Sequence, residues 1–333
     1  MPANPDKLKV VKEYSRREIL LSMARQPGSS RIFCGGSEFK VYDLDLSAEK
    51  PEPKEMAGHG SYVMGVARVG DEIVTGSYDR HLIWWNTTTH EQLRKVKAHD
   101  KWIRGVVASP DEKLVASVAD DMVCRLWDPA SGKPIRELRG HKPQTPQHYP
   151  SMLYACTFSP DGKLLATGDK VGHVVVWEAA TGKQVATLES PENYTWDPRQ
   201  RRHSIGGIRS LAFSPDGKLL AVGGIAKIGN IDHLGGKALV QVYDWASGER
   251  KHKFEHGKHN GLIEQLRFHH QGDWLLGAGG ANKGLLLFMS LKDNKFIRDS
   301  EAKMHIHAIE LSEDSETLYA VGNGNAIIWE MKG

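Results

Sequence analysis

Three deficits narrow the field before any motif is read. Cysteine is scarce: Cys34, Cys124 and Cys156 stand singly in apolar runs, without the spacing of a disulfide frame or a zinc site. They read as small buried hydrophobes in a chain kept in a reducing compartment. A charge surplus is also missing. Lys and Arg number 44 against 41 acids, a net +3 spread along the chain, which argues against nucleic acid as the partner. Nor does any apolar run approach the roughly 18 residues that span a bilayer. The opening MPANPDKLKVVKEYSRREILL lacks the apolar core of a secretory signal. A cytoplasmic protein with no membrane association is expected.

Catalytic signatures are absent too. The glycine-rich GGIAKIGNIDHLGG contains no G-x-x-x-x-G-K-[ST], and its glycines simply permit an irregular excursion. His305-x-His307 puts two imidazoles on one side of a strand without a spaced Cys, Asp or Glu companion. His256, His259, His269 and His270 scatter around turns. No metal, no cofactor and no enzymatic activity are expected.

What is present is repetition. CTFSPDGKLLATG (156–168), LAFSPDGKLLAVGG (211–224) and VVASPDEKLVASV (106–118) are near copies. Each reads as a strand, a Ser-Pro-Asp turn and a second strand, because Pro sets φ and Gly relieves the reversal. Weaker copies lie at 22–36, 266–280 and 309–322. A third strand then ends in an aromatic at Tyr42-Asp43, Trp85-Asn86, Trp127-Asp128, Trp177-Glu178, Tyr243-Asp244, Phe288-Met289 and Trp329-Glu330. A turn such as PASGK and a fourth strand follow, closed by Gly58-His59, Ala98-His99 or Gly140-His141.

In these motifs the chain resembles the WD-repeat family over essentially its whole length. The resemblance implies an all-β, seven-bladed β-propeller of four-stranded antiparallel blades in one domain, 1–333. Repeats run at about 18–58, 59–98, 99–140, 141–189, 190–255, 256–302 and 303–333. The last repeat lacks a fourth strand, and the N-terminal strand 8–12 is expected to pair onto it, protecting an open edge. The resemblance also implies two buried hydrogen-bonded sets: His59, Thr75, Asp79 and Trp85, then His99, Ser117, Asp121 and Trp127. Because they recur with the repeat, they read as structure rather than as a hydrolase triad. Val171 stands where the fourth repeat should carry its Asp, and Asn323 replaces it in the last.

Function is expected on loops. Insertions at 142–151, 190–207 and 225–238 fall in the two loop classes that the family places on its top rim, and loops of this length are uncommon unless functional or disordered. The longest carries Tyr194, Trp196, Arg199, Arg201, Arg202 and His203, types enriched at binding hot spots. For the aromatics two readings stay open, a hot spot or pins that hold the loop. Repeat alignment adds Tyr62, Met64, Trp102, Arg104, Tyr154 and Arg209 at the channel mouth. A non-catalytic scaffold binding a protein or peptide is the leading expectation. The alternatives are an enzyme using the channel for a small substrate, and RNA binding through the 190–207 loop.

Overall fold

In the computed structural model, which describes residues 3–198, 203–229 and 235–332, one turn chemistry recurs. Ser109 Oγ donates to Asp111 Oδ1 (2.7 Å) and accepts from the Leu114 N–H (3.0 Å). Ser159 repeats this with Asp161 and Leu164, Ser214 with Asp216 and Leu219, and Ser312 with Asp314 and Thr317. The next turn position is left-handed in every copy. Gly162 (φ 70°) and Gly217 (φ 71°) suit it, whereas Glu112 (φ 58°) and Ser315 (φ 59°) adopt it without that freedom. Each turn therefore closes a first-to-second-strand hairpin.

Burial explains why such hairpins assemble. The second and third strands are apolar on both faces, as in Glu72–Ser77 and His81–Asn86. The fourth, Gln92–Lys97, is largely exposed. Inner strands must be covered on both faces by neighbouring sheets, and only outer strands meet water.

The chain divides into two compact units, Met1–Glu137 with His307–Gly333, and Leu138–Ile306. In the first unit Val63–Val69, Glu72–Ser77, His81–Asn86 and Gln92–Lys97 form one four-stranded antiparallel sheet. Ile103–Ala108, Val115–Ala119, Cys124–Trp127 and Pro134–Leu138 form another. Ala67, Val74, Leu82, Trp84, Ile103, Val106, Val115 and Trp127 pack between these two sheets. Burying a Val or Leu side chain contributes about 1.5–3 kcal/mol. In the second unit three further four-stranded sheets span 153–189, 210–260 and 262–302. Among the described residues there is no α-helix.

The expected seven separate blades are corrected here: among the described residues six blade sheets are present, five of four strands and one of six. The six-stranded sheet runs Ile306–Leu311, Thr317–Glu330, Lys9–Arg25, Arg31–Gly36, Lys40–Asp45, Lys54–Ala57. Strand Lys9–Arg25 is the reason. Its first half pairs with Thr317–Glu330, from Lys9↔Glu330 to Ser15↔Asn325, and its second half pairs with Arg31–Gly36. Register shifts between Ser15 and Ile19 and between Leu20 and Ser22 let one strand serve both repeats, so they share a sheet. The first repeat also differs in register. Leu44 faces Ile32 as Trp85 faces Ile73, so Tyr42 lies two residues before the place read for its strand end.

Candidate functional site

Three hydrogen-bonded sets are built on a constant ten-residue spacing across the second and third strands. Trp85 Nε1 donates to Thr75 Oγ1 (2.8 Å), which faces His59 Nε2 (2.8 Å), and His59 Nδ1 donates to Asp79 Oδ2 (3.0 Å). Trp127, Ser117, His99 and Asp121 repeat the chain at 2.9, 2.7 and 3.0 Å. A carboxylate only accepts, so Nδ1 carries the hydrogen and Nε2 accepts from the hydroxyl. The third set was not read from the sequence: Trp177, Thr167, His141 and Asp169, at 2.9, 2.8 and 2.9 Å. Asp169, two residues before Val171, supplies the carboxylate, and its other oxygen accepts from the Val171 and His173 amides. In the 210–260 sheet Tyr243, Gln241 and Ser190 make a different buried set, with Tyr243 OH on Gln241 Oε1 (2.6 Å) and Gln241 Nε2 on Ser190 Oγ (2.7 Å).

These sets carry an acid dependence. Burial alone would raise the Asp79 carboxyl, but the His59 hydrogen bond and the Gly60 amide hold it well below the ordinary range. Asp121 is held down in the same way by His99 and Arg125 against burial. Burial lowers His99 despite Asp121 beside it. All three groups bind protons more weakly folded than unfolded, so each contributes stability above its unfolded value that is lost as pH falls. Thermal stability is therefore expected to decline from the His range near 6.5 and more steeply below the Asp value near 3.8. Asp79→Ala, leaving buried partners unsatisfied, is expected to destabilise by about 1–3 kcal/mol at neutral pH and to shrink the acid limb, read as melting temperature against pH.

A second feature of the first unit is a strip of rings. Phe39, Tyr62, Tyr78 and Trp102 follow one another with centroids 5.7, 5.9 and 4.7 Å apart, the last pair stacked at 10°. Tyr62 and Trp102 immediately precede first strands, and Phe39 and Tyr78 sit in second-to-third-strand turns. Tyr78 N–H donates to the Tyr62 carbonyl and Asp120 N–H to the Trp102 carbonyl, each at 3.0 Å, fixing the loops to one another. Arg104 forks onto Asp120 (2.8 and 2.7 Å), donates to Tyr78 OH, and lies 4.7 and 5.4 Å from the Tyr78 and Trp102 centroids. Trp102 is 51% exposed, Tyr62 45% and Phe39 42%. Met64 is half-buried on the strand after Tyr62. Tyr62, Trp102 and Arg104 are expected from repeat alignment, whereas Phe39 and Tyr78 carry no sequence signal and join the strip only through neighbouring repeats.

In the second unit the insertions pack together. Tyr194 OH bonds Gln147 Oε1 (2.5 Å), Trp196 meets Tyr149 at 5.2 Å, and Ile228 N–H donates to Thr195 Oγ1 (2.9 Å). Tyr194–Asp197 pairs with His203–Gly206 as a hairpin. Tyr194 and Trp196 are both half-buried, a packing that favours their reading as loop pins. Arg209 lies 3.8 Å over the Tyr154 ring, and both are half-buried. Arg199, Arg201 and Arg202 lie outside the described residues.

His256, His259 and Asp299, scattered in sequence, come within 4.8 Å of one another. His256 Nδ1 accepts the Lys258 and His259 amides (3.2 and 3.1 Å). Its hydrogen therefore sits on Nε2, the nitrogen facing Asp299 at 3.7 Å. A metal at that nitrogen would have to displace this hydrogen while amides occupy the other lone pair, so a neutral His256 turned by its N–H toward Asp299 is a poor ligand. Cys34 and Cys124 are buried and in no disulfide, and burial pushes the Cys34 thiol up, away from reactivity. Among the described residues no helix is long and apolar enough to cross a membrane.

Comparison with known proteins agrees with the repeat chemistry. The family model described as "WD domain, G-beta repeat" matches residues 90–128, 132–178 and 198–226. Telomerase protein component 1 of Mus musculus is 26% identical over 266 residues, 80% of this chain and 9% of that protein. Nuclear distribution protein PAC1 of Arthroderma benhamiae is 25% identical over 237 residues, 64% of this chain and 48% of that protein. A guanine nucleotide-binding protein subunit beta of Zea mays is 24% identical over 220 residues, 61% of this chain and 54% of that protein. The aligned region is thus about half of the last two relatives and a small part of the first. With the Ser-x-Asp turns, the Trp-bearing strands and the His–Asp sets recurring from repeat to repeat, the chain carries WD-type repeats over the matched residues and is similar to these relatives in that region.

Proposed function

We propose that this chain is a non-catalytic protein-interaction scaffold whose partner binds on the strip formed by Tyr62, Trp102 and Arg104 with Phe39 and Tyr78. The observation that carries the reading is the exposure of three large rings in one row. Aromatic side chains left half in water contribute little to the fold and are the types that anchor interfaces, as is Arg. Arg104 is held by Asp120, so the row is preorganised and loses little side-chain freedom on binding. The names of the relatives, among them a subunit of a guanine nucleotide-binding protein, support protein partners in general. The His–Asp sets are read as structural: their nucleophile-like hydroxyls are buried and committed to Trp and His.

The test is co-purification with the tagged chain. Trp102→Ala and Tyr62→Ala are each expected to weaken a co-purifying partner by about 2 kcal/mol, near 30-fold, with the melting temperature unchanged. A partner retained at full affinity by both variants, or protected from labelling only away from the strip, overturns the proposal.

A further inference from the structure

We infer, resting on the strip's role as the binding surface, that its occupant is an uncharged, proline-rich extended peptide. Three observations point to that chemistry. The first is the strip's charge balance. Arg104 is matched by Asp120, Lys40 by Glu55 and Lys97 by Asp100, while exposed Arg80 and Lys101 against exposed Glu38 leave a surplus of a single positive charge. Such a balance offers no row of cations for a phosphate backbone and no opposite field for a charged peptide.

The second is the hydrogen-bonding sign. Among the described residues neither the Trp102 indole N–H nor the Tyr62 hydroxyl has a protein partner, and Tyr78 OH already accepts from Arg104. The strip therefore presents free donors between ring faces. A proline-rich segment supplies the complement: carbonyls without competing N–H groups, flat apolar rings, and a backbone already extended as polyproline II. Tyr62 is tilted 47° and 48° to the rings on either side, so the strip presents ring faces and edges in alternation rather than one flat stack.

The third is the exposure of Phe39. Its backbone at φ 67° is the left-handed position of this turn, which Arg80 (φ 73°), Met122 (φ 64°) and Gly172 (φ 91°) occupy in the other repeats, so the fold sets the conformation whatever the residue. What distinguishes Phe39 is a large apolar ring kept 42% exposed where it extends the strip.

Two measurements on the full chain decide the matter. In titrations with a capped ten-proline peptide, binding is expected for the wild type and about tenfold weaker for Trp102→Ala and Phe39→Gly. Phe39→Gly is expected to keep or raise the melting temperature, so its lost binding cannot be a folding defect. A glycine-serine peptide of equal length and a single-stranded oligouridine are expected not to bind. A random peptide library selected on wild type and counter-selected on Trp102→Ala separates the two levels of inference. Recovered sequences rich in proline support the assignment. Trp102-dependent sequences without proline, or oligouridine binding at the strip, overturn the peptide class. No Trp102-dependent ligand of any kind overturns the binding surface as well.

Discussion

Removal of residues 1–15 is expected to give a chain that aggregates on purification and melts many degrees below the intact protein. The deleted segment supplies the whole run of pairs from Lys9↔Glu330 to Ser15↔Asn325. It also takes away the buried Leu8, the Tyr14 hydroxyl that bonds the Leu46 and Ala48 carbonyls, and Lys12, which bonds Leu46 and Ser47. Burial of Leu8 alone is worth about 2 kcal/mol. The larger consequence is a bare edge on Thr317–Glu330, whose unpaired amides and carbonyls would template pairing between chains. Light scattering together with a thermal melt reads both effects. A monomeric truncation with the melting temperature of the intact chain would show that this pairing is dispensable.

Trp127→Ala is expected to destabilise the fold by about 3–5 kcal/mol, the range for deleting a large buried aromatic. Its ring is 3% exposed and packs with Trp84, Leu82 and Val106, and its indole N–H is committed to Ser117. Truncation would open a cavity and leave the Ser117 hydroxyl without its donor. Trp102→Ala removes a ring of the same size, yet with half of it in water the fold should lose less than about 1 kcal/mol. Urea midpoints of the two variants, measured side by side, distinguish a ring that holds the fold from one that is free for a partner. Equal losses would place Trp102 in the structural class and remove the basis for the strip.

The legible parts of this protein are those with short, fixed spacing. Ser-x-Asp turns and the ten residues between Thr75 and Trp85, or Ser117 and Trp127, are set within one hairpin, so sequence distance and spatial distance agree. His141 escaped the same reading because the 142–151 insertion stretches its separation from Thr167 to 26 residues, and because Asp169 reaches it from two positions earlier than the repeat implies. Tyr62, Trp102 and Arg104 could be aligned by their place at the start of a first strand. Phe39 and Tyr78 could not, since nothing local marks a turn residue that will stack on a ring from another loop.

The residue order thus determined the all-β class, the hairpin turns, the apolar inner strands and two of the three His–Asp sets, because each depends on chain-local geometry and on which side chains leave water. The tertiary structure decided how many sheets those strands make. Seven aromatic-ended strands were countable in the sequence, yet backbone hydrogen bonds continue through Lys9–Arg25 and unite the first and last repeats in one six-stranded sheet. It also decided the candidate site, where Phe39, Tyr62, Tyr78, Trp102 and Arg104 meet from separate loops. Ladder continuity and ring contact between distant segments depend on where whole strands come to lie, and no spacing along the chain encodes that position.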